Sequence, residues 1–174
     1  MKDSYEIERK FLINKLPDDL ESHPYHELAQ AYLSGDPVIR IRRSDSDYIL
    51  TYKAGGLMIR KEVELPLTEK SFTHLLTKAD GLVISKRRYV IPTSMETEDG
   101  VLDLKIELDV FKGALEGFIL AEVEFPSEKT ATSYTPPEWL GKEVTDDPLF
   151  HNVNLSQLSI DGCKTFLSKY AYRG

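Results

Sequence analysis

Charged and apolar residues alternate along seven short segments of this chain. In the first, residues 6–13, Glu6, Glu8 and Lys10 form one row beside a largely apolar row. Side chains two residues apart on a β-strand stand on the same face. Each segment therefore predicts a strand with one ionic and one mostly apolar face. The other six segments are 38–42, 48–53, 60–65, 85–91, 101–111 and 119–125.

Three helices are predicted among these strands. Thr68 can cap the first, which has apolar residues at helical spacing and is stopped by Gly81. The second covers about 127–134 and ends before two prolines, and the third lies near the C-terminus, from about residue 155. Turn residues follow the strands too closely for repeated βαβ crossovers, which favours an α+β, mainly β, antiparallel fold.

Composition narrows the class of protein. The 174 residues are 41% hydrophobic and 29% charged, which suits one soluble domain over residues 1–174. A net charge of −7 argues against non-specific binding to nucleic acid, and the absence of a long apolar run or signal sequence predicts a cytoplasmic, non-membrane protein. The single Cys163 excludes an internal disulfide, and the four scattered histidines disfavour a zinc site.

The ionic rows contain acids and bases in equal numbers, eight of each. The acids are Glu6, Glu8, Glu62, Glu64, Glu107, Asp109, Glu122 and Glu124, and the bases are Lys10, Arg40, Arg42, Lys53, Arg60, Lys86, Arg88 and Lys105. One interpretation is the wet face of an open antiparallel sheet. The other is a barrel with the ionic rows facing an inner tunnel and the helices covering the apolar outside.

A tunnel of this composition predicts its ligand. Converging Arg and Lys side chains suit phosphate oxygens, whereas carboxylates in the same space would repel phosphate. That conflict disappears if the carboxylates hold Mg²⁺ or Mn²⁺, because these ions also take ligands from substrate phosphates. The predicted occupant is therefore a small-molecule polyphosphate with divalent metal ions.

Several motifs occur in a recognisable order along the chain. They are Glu6-Ile7-Glu8-Arg9-Lys10, Gln30-Ala31-Tyr32-Leu33, Arg40-Ile41-Arg42, Thr51-Tyr52-Lys53, Arg60 with Glu62 and Glu64, Lys86-Arg87-Arg88, Glu107 to Phe111, Glu122-Val123-Glu124 and Glu143 to Asp147. The first is an ExExK signature. Between residues 5 and about 155 the chain thus resembles the CYTH superfamily, the triphosphate tunnel metalloenzymes, and is most like the short bacterial inorganic triphosphatases.

The resemblance implies an eight-stranded antiparallel β-barrel with a charged lumen and helices packed outside. It also implies roles for residues. The metal ligands would be Glu6, Glu8, Asp109, Glu122 and Glu124. The triphosphate would be bound by Lys10, Arg40, Arg42, Lys53, Arg60, Lys86 and Arg88. Lys10, Tyr32 and Glu122 are the candidate catalytic residues, although Tyr32 follows Ala31 where relatives carry glycine, and an aromatic packed at the tunnel mouth is an equal alternative.

The expected activity is metal-dependent hydrolysis of tripolyphosphate to pyrophosphate and phosphate. Alternatives within the fold are a class IV-type adenylate cyclase and a thiamine triphosphatase, and an alternative from another class is a polyphosphate-binding module without turnover. A homodimer is left open. Two features depart from the family pattern: Leu149 and Phe150 stand where relatives often carry basic residues, and the segment after residue 155 is longer than expected. Its last helix is a candidate plug for one end of the tunnel, from which Lys164, Lys169 or Arg173 could reach inward.

Overall fold

The computed structural model describes the backbone of residues 4–55 and 59–174 and the side chains of residues 6–53 and 62–174. Its main element is a nine-stranded antiparallel sheet. The strands are β1 (Ser4–Ile13), β2 (Tyr25–Gly35), β3 (Val38–Ser44), β4 (Asp47–Gly55), β5 (Ile59–Pro66), β6 (Asp80–Thr97), β7 (Gly100–Phe111), β8 (Ile119–Glu124) and β9 (Leu140–Glu143). The mainly β, antiparallel prediction is confirmed.

Four α-helices accompany the sheet in the described part of the chain. They are α1 (Glu69–Leu76), α2 (Glu128–Ser133), α3 (Asn152–Ser156) and α4 (Ile160–Tyr170). None of these helices combines the length and apolar character that crossing a membrane requires.

The strands are hydrogen-bonded in the order β5-β4-β3-β2-β6-β7-β8-β1-β9, and β1 pairs with β5 as well. The predicted number of eight strands is wrong, because β9 adds a ninth. Strand β5 reaches only Ser4–Ile7 of β1, so the later residues Phe11 and Ile13 are free to pair with β9. Pairing them satisfies backbone groups that would otherwise lack partners.

All seven strands predicted from alternation are present, and two others were missed. In β2, Gln30 and Tyr32 are buried on one face while Ala31 is buried on the other. Because both faces of this strand are covered, its sequence shows no simple alternation of polar and apolar residues. Strand β9 has four residues, too few for a period to be recognised.

The first two helices agree with the prediction and the third does not. The Thr68 side chain caps α1 by accepting a hydrogen bond from the Ser71 amide, and Ser127 forms a capping box with Thr130 at the start of α2. The single C-terminal helix expected from about residue 155 is instead α3 followed by α4. The break has a local cause, because Ser159 adopts an extended backbone and caps α4.

The apolar core lies between the sheet and the helices. One cluster joins β1, β6, β7 and β8 to α2, a second joins β7 and β8 to α3 and α4, and a third joins β2 and β3 to α1. In the second, Phe118 stacks edge-on against Phe166 with ring centroids 4.8 Å apart. Burying one such aromatic side chain contributes about 1.5–3 kcal/mol. The helices thus cover the apolar face and leave the ionic rows on the other.

Candidate active site

The ionic rows of six strands, β1, β3, β4, β6, β7 and β8, line a single cavity. Most of the residues predicted for the site line it, namely Glu6, Glu8, Lys10, Tyr32, Arg40, Arg42, Lys53, Lys86, Arg88, Glu122 and Glu124. Alternation explains how the sequence places them there: in β8, for example, Glu122 and Glu124 face the cavity while Ala121 and Val123 pack in the core. These side chains lie far apart in sequence and are brought together by strand pairing.

Two predicted site residues stand apart from this set. The side chain of Arg60 lies outside the described residues. Asp109 is fully buried and does not line the cavity, although it lies directly behind the cavity wall. Its carboxylate accepts hydrogen bonds from Lys86 and from Nε and Nη2 of Arg88, the latter two at 2.6 Å. As placed, Asp109 anchors two of the predicted phosphate-binding bases.

Arg88 is the centre of the largest group of ion pairs. Its guanidinium contacts Glu107, Asp109 and Glu122, with Nη2 2.7 Å from a Glu122 oxygen. Burial opposes the charge on Arg88, but attraction to Asp109 and Glu107 outweighs it and raises the pKa of Arg88 well above its usual value. Arg88 therefore stays charged and fixed in position.

Lys10 is held in a similar way. Its Nζ lies 2.7 Å from a Glu8 oxygen and 2.6 Å from a Glu122 oxygen. Burial opposes its charge, but attraction to Glu122 and Glu8 dominates and raises the pKa of Lys10. For Glu122, burial is likewise outweighed, here by Lys10 and Arg88, which hold its pKa well below the usual value. The backbone of Lys10 is fixed by hydrogen bonds with Val144 and Thr145.

Lys53 on β4 is paired closely, whereas the two arginines on β3 are paired more loosely. Lys53 contacts Glu6 at 2.5 Å and Glu62 at 3.2 Å, and Arg42 contacts Glu64 at 3.3 Å. Within the described part of the chain, the buried Nε atoms of Arg40 and Arg42 have no hydrogen-bond partner. Unsatisfied buried donors are costly, so a ligand with several acceptor oxygens suits this side of the cavity.

Among the described acids that line the cavity, Glu124 has its charge compensated least. It makes no ion pair within 4 Å among the residues whose side chains are described. Burial raises the pKa of Glu124, and repulsion from Glu6 and Glu107 raises it further. A divalent cation would relieve this repulsion, and carboxylate oxygens are the ligands that Mg²⁺ and Mn²⁺ prefer.

Carboxylate oxygens are chemically suitable ligands for a divalent metal ion. The cavity carboxylates are, however, not arranged as a complete set of ligands. Among the described residues, no group of three His, Cys, Asp or Glu side chains is positioned to hold an ion. This is compatible with Mg²⁺, which usually takes one or two protein carboxylates and completes its shell with waters and substrate phosphates.

Tyr32 lies within the cavity wall and is almost fully buried. Its hydroxyl accepts a hydrogen bond of 2.7 Å from the side-chain amide of Gln30, two residues earlier on β2. Burial raises the pKa of Tyr32 to about 12. At neutral pH the hydroxyl is therefore protonated and can donate a hydrogen bond to a ligand.

Six further cavity residues were not among the predicted site residues: Gln30, Val38, Glu107, His151, Asn152 and Val153. Two of them could have been predicted from the sequence, because Gln30 shares a strand face with Tyr32 and Glu107 belongs to an ionic row. Residues 151–153 could not have been predicted from strand alternation, since they come from the start of α3 and the residue before it.

The bases considered for a C-terminal plug do not reach the cavity. Lys164 pairs with Asp161 at 3.0 Å, Arg173 donates to the Ser168 carbonyl, and Lys169 is exposed. Phe150, noted as a departure from the family pattern, packs in the aromatic cluster with Phe118. The C-terminal residues that do line the cavity are His151, Asn152 and Val153.

Comparison with known proteins gives two curated relatives that match almost along their whole length. The chain is 39% identical over 155 residues to an inorganic triphosphatase of Nitrosomonas europaea, covering 87% of this chain and 96% of that protein. It is 30% identical over 156 residues to an inorganic triphosphatase of Acetivibrio thermocellus, covering 86% and 92%.

A solved structure and a family match agree with these relatives. The crystal structure of the inorganic triphosphatase NE1496 superimposes with a TM-score of 0.59 at 35% identity, covering 87% of this chain and 93% of that one. The CYTH domain matches residues 4–148. The ordered motifs, the fold and these matches together show that the chain belongs to the CYTH domain family.

Proposed function

We propose that this chain hydrolyses inorganic tripolyphosphate to pyrophosphate and phosphate with the help of Mg²⁺ or Mn²⁺. The observation that carries the proposal is the single cavity in which six Arg and Lys side chains face several carboxylates. Both curated relatives are named inorganic triphosphatases, which supports the choice of substrate.

The bases would bind the triphosphate by exchanging partners. Each of Lys10, Arg40, Arg42, Lys53, Lys86 and Arg88 is paired with a carboxylate, and phosphate oxygens can take the place of carboxylate oxygens at the same donors. Arg60 remains a further predicted contact. Because Arg88 and Lys10 are held in the charged form, they are suited to stabilise negative charge on the phosphoryl oxygens during cleavage.

The carboxylates released by this exchange would hold the metal ions. Glu6, Glu8, Glu122 and Glu124 line the cavity and are the proposed ligands, with Asp109 as a further candidate behind them. When bound, such an ion supplies charge neutralisation and an activated water. Tyr32, protonated at neutral pH, would donate a hydrogen bond to the phosphate chain or to the attacking water.

The proposal extends to the form of the sheet and to the extent of the domain. The pairing of β1 with both β8 and β5 supports a tunnel form for the sheet. The packing of Phe166 in α4 against Phe118 supports a single domain that includes the C-terminal segment. The cytoplasmic location stays a prediction from the sequence. Whether the protein forms a homodimer stays an open question.

The test is product analysis with purified protein, tripolyphosphate and Mg²⁺ or Mn²⁺. We expect pyrophosphate and phosphate in equal amounts, a loss of turnover with excess chelator, and slower reactions with ATP and thiamine triphosphate. Turnover that survives complete removal of metal would contradict the mechanism. Cyclic AMP as the main product from ATP, or tight binding of tripolyphosphate without hydrolysis, would contradict the proposed reaction.

A further inference from the structure

Gln30 lines the cavity beside Tyr32 but has no part in the proposed binding of tripolyphosphate. The two residues stand on the same face of β2, and they are 2% and 4% exposed. The amide nitrogen of Gln30 donates to the hydroxyl oxygen of Tyr32 over 2.7 Å. Both groups are uncharged, unlike the acids and bases that are proposed to bind metal and phosphate. Their contact therefore needs an explanation of its own.

The direction of this hydrogen bond decides where the hydrogen of the Tyr32 hydroxyl can point. An amide nitrogen only donates, whereas a protonated hydroxyl has one hydrogen to donate and lone pairs with which to accept. Since the hydroxyl accepts from Gln30, its own hydrogen is directed elsewhere. Arg42 lies opposite Gln30 in the register of β2 with β3, and an arginine side chain has only donors. That neighbour favours turning the oxygen of the Gln30 amide away from Tyr32.

The charged groups around Tyr32 leave the ligand as the best acceptor for this hydrogen. Arg40, which lies opposite Tyr32 on β3, and Lys10 on β1 act on the hydroxyl electrostatically, and both have only donors. Glu122 also acts on it, but each carboxylate oxygen of Glu122 already contacts a charged donor, one from Lys10 and one from Arg88. Phosphate oxygens carry several free lone pairs and form strong hydrogen bonds.

The sheet is irregular beside Tyr32. From Gln30 to Tyr32, β2 advances by two residues while its partner β6 moves by four, from Ile84 to Asp80. Irregularities of this kind turn side chains from their regular direction and are common next to active sites. Strand geometry alone therefore does not fix the Tyr32 side chain, and the contact with Gln30 supplies a further constraint.

We propose that Gln30 is a positioning residue that holds the Tyr32 hydroxyl with its hydrogen toward the phosphate chain. This inference rests on the proposed triphosphatase function. Gln30 acts through Tyr32: without the amide the hydroxyl is free to rotate, and a bound substrate then meets it in unproductive orientations. The loss falls on kcat, because the Arg and Lys side chains that bind the phosphates are unchanged.

The experiment is a double-mutant cycle in which kcat and KM for tripolyphosphate are measured at saturating Mg²⁺ or Mn²⁺. Gln30→Met keeps the length of the side chain without the amide, and we expect kcat to fall about tenfold, the effect of one neutral hydrogen bond, with little change in KM. Tyr32→Phe should lower kcat about 100-fold. In the Tyr32→Phe protein, Gln30→Met should change kcat by less than about twofold, because the hydroxyl on which Gln30 acts is gone.

Gln157→Met is the matched control, since Gln157 is exposed, and it should leave kcat unchanged with or without the Tyr32 hydroxyl. Gln30→Leu also lacks the amide and repeats the cycle if the methionine variant does not fold. An equal loss from Gln30→Met in both backgrounds, or no loss in the original protein, would overturn the positioning role and leave the proposed function standing. If the unmodified protein does not hydrolyse tripolyphosphate, the proposed function fails and the positioning role fails with it.

Discussion

Glu122→Gln is expected to lower kcat for tripolyphosphate by about 10³-fold, the loss typical of removing one charged group that acts on the transition state. Glu122 is paired with both Lys10 and Arg88 and is also a proposed metal ligand. The amide keeps the shape of the side chain but removes its negative charge, so it weakens metal binding and the alignment of both bases. KM should change much less, because Glu8 still holds Lys10 and Asp109 still holds Arg88.

Steady-state kinetics at saturating Mg²⁺ or Mn²⁺ measures this effect. Glu98→Gln is the matched control, because Glu98 is an exposed carboxylate whose one ion-pair partner among the described side chains is Lys129 at 2.7 Å, and such pairs contribute little. It should keep the original kcat. A fall in kcat of less than about tenfold for Glu122→Gln would remove Glu122 from the catalytic centre, since even modest electrostatic roles cost more than that.

Asp109→Asn is expected to reduce the free energy of unfolding by about 3–5 kcal/mol, the usual cost of breaking a buried ion pair by removing one partner. Asp109 is completely buried, and Lys86 beside it is almost completely buried. In the described part of the chain, Lys86 has no other ion-pair partner within 4 Å. Burial already lowers the pKa of Lys86, so without Asp109 the Lys86 side chain would lose either its proton or its buried position.

Urea denaturation in metal-free buffer at neutral pH checks this prediction. The control is Asp103→Asn, because Asp103 lies at an exposed position on the same strand. This substitution should change the free energy of unfolding by less than about 0.5 kcal/mol. If Asp109 served only as a metal ligand, the variant without metal would be as stable as the original or more so. Such a result would show that Asp109 is not the structural anchor of Lys86 and Arg88.

The strand pattern predicted most of the sheet because alternate residues of each strand face the ionic cavity and the residues between them face the apolar core. The same rule failed for β2, whose Gln30 and Ala31 are both buried although they point to opposite faces. It also failed for β9, which is held by pairing to β1 and not by a pattern of its own. The break between α3 and α4 depends on the local cap at Ser159, which a helical period running through residues 155–170 conceals.

Alternation located the charged residues of the site, but it did not distinguish roles among them. Asp109 shares a row with Glu107, yet only Glu107 lines the cavity, because Asp109 lies beneath Lys86 and Arg88. That difference depends on side-chain packing and not on position in the strand. The contribution of α3 to the cavity could not be predicted either, since it depends on the packing of that helix against the sheet, where a Cβ on Gly35 would lie 3.6 Å from Val153 Cγ2.

The central claim is that the bases bind the triphosphate and the acids bind the metal within one cavity. A crystal structure with Mn²⁺ and a non-hydrolysable triphosphate analogue tests it most directly, with anomalous scattering to locate the metal. We expect Mn²⁺ about 2.0–2.2 Å from carboxylate oxygens of at least two of Glu6, Glu8, Glu122 and Glu124, with phosphates against Arg40, Arg42 and Arg88. Metal and phosphates bound outside this cavity would contradict the account.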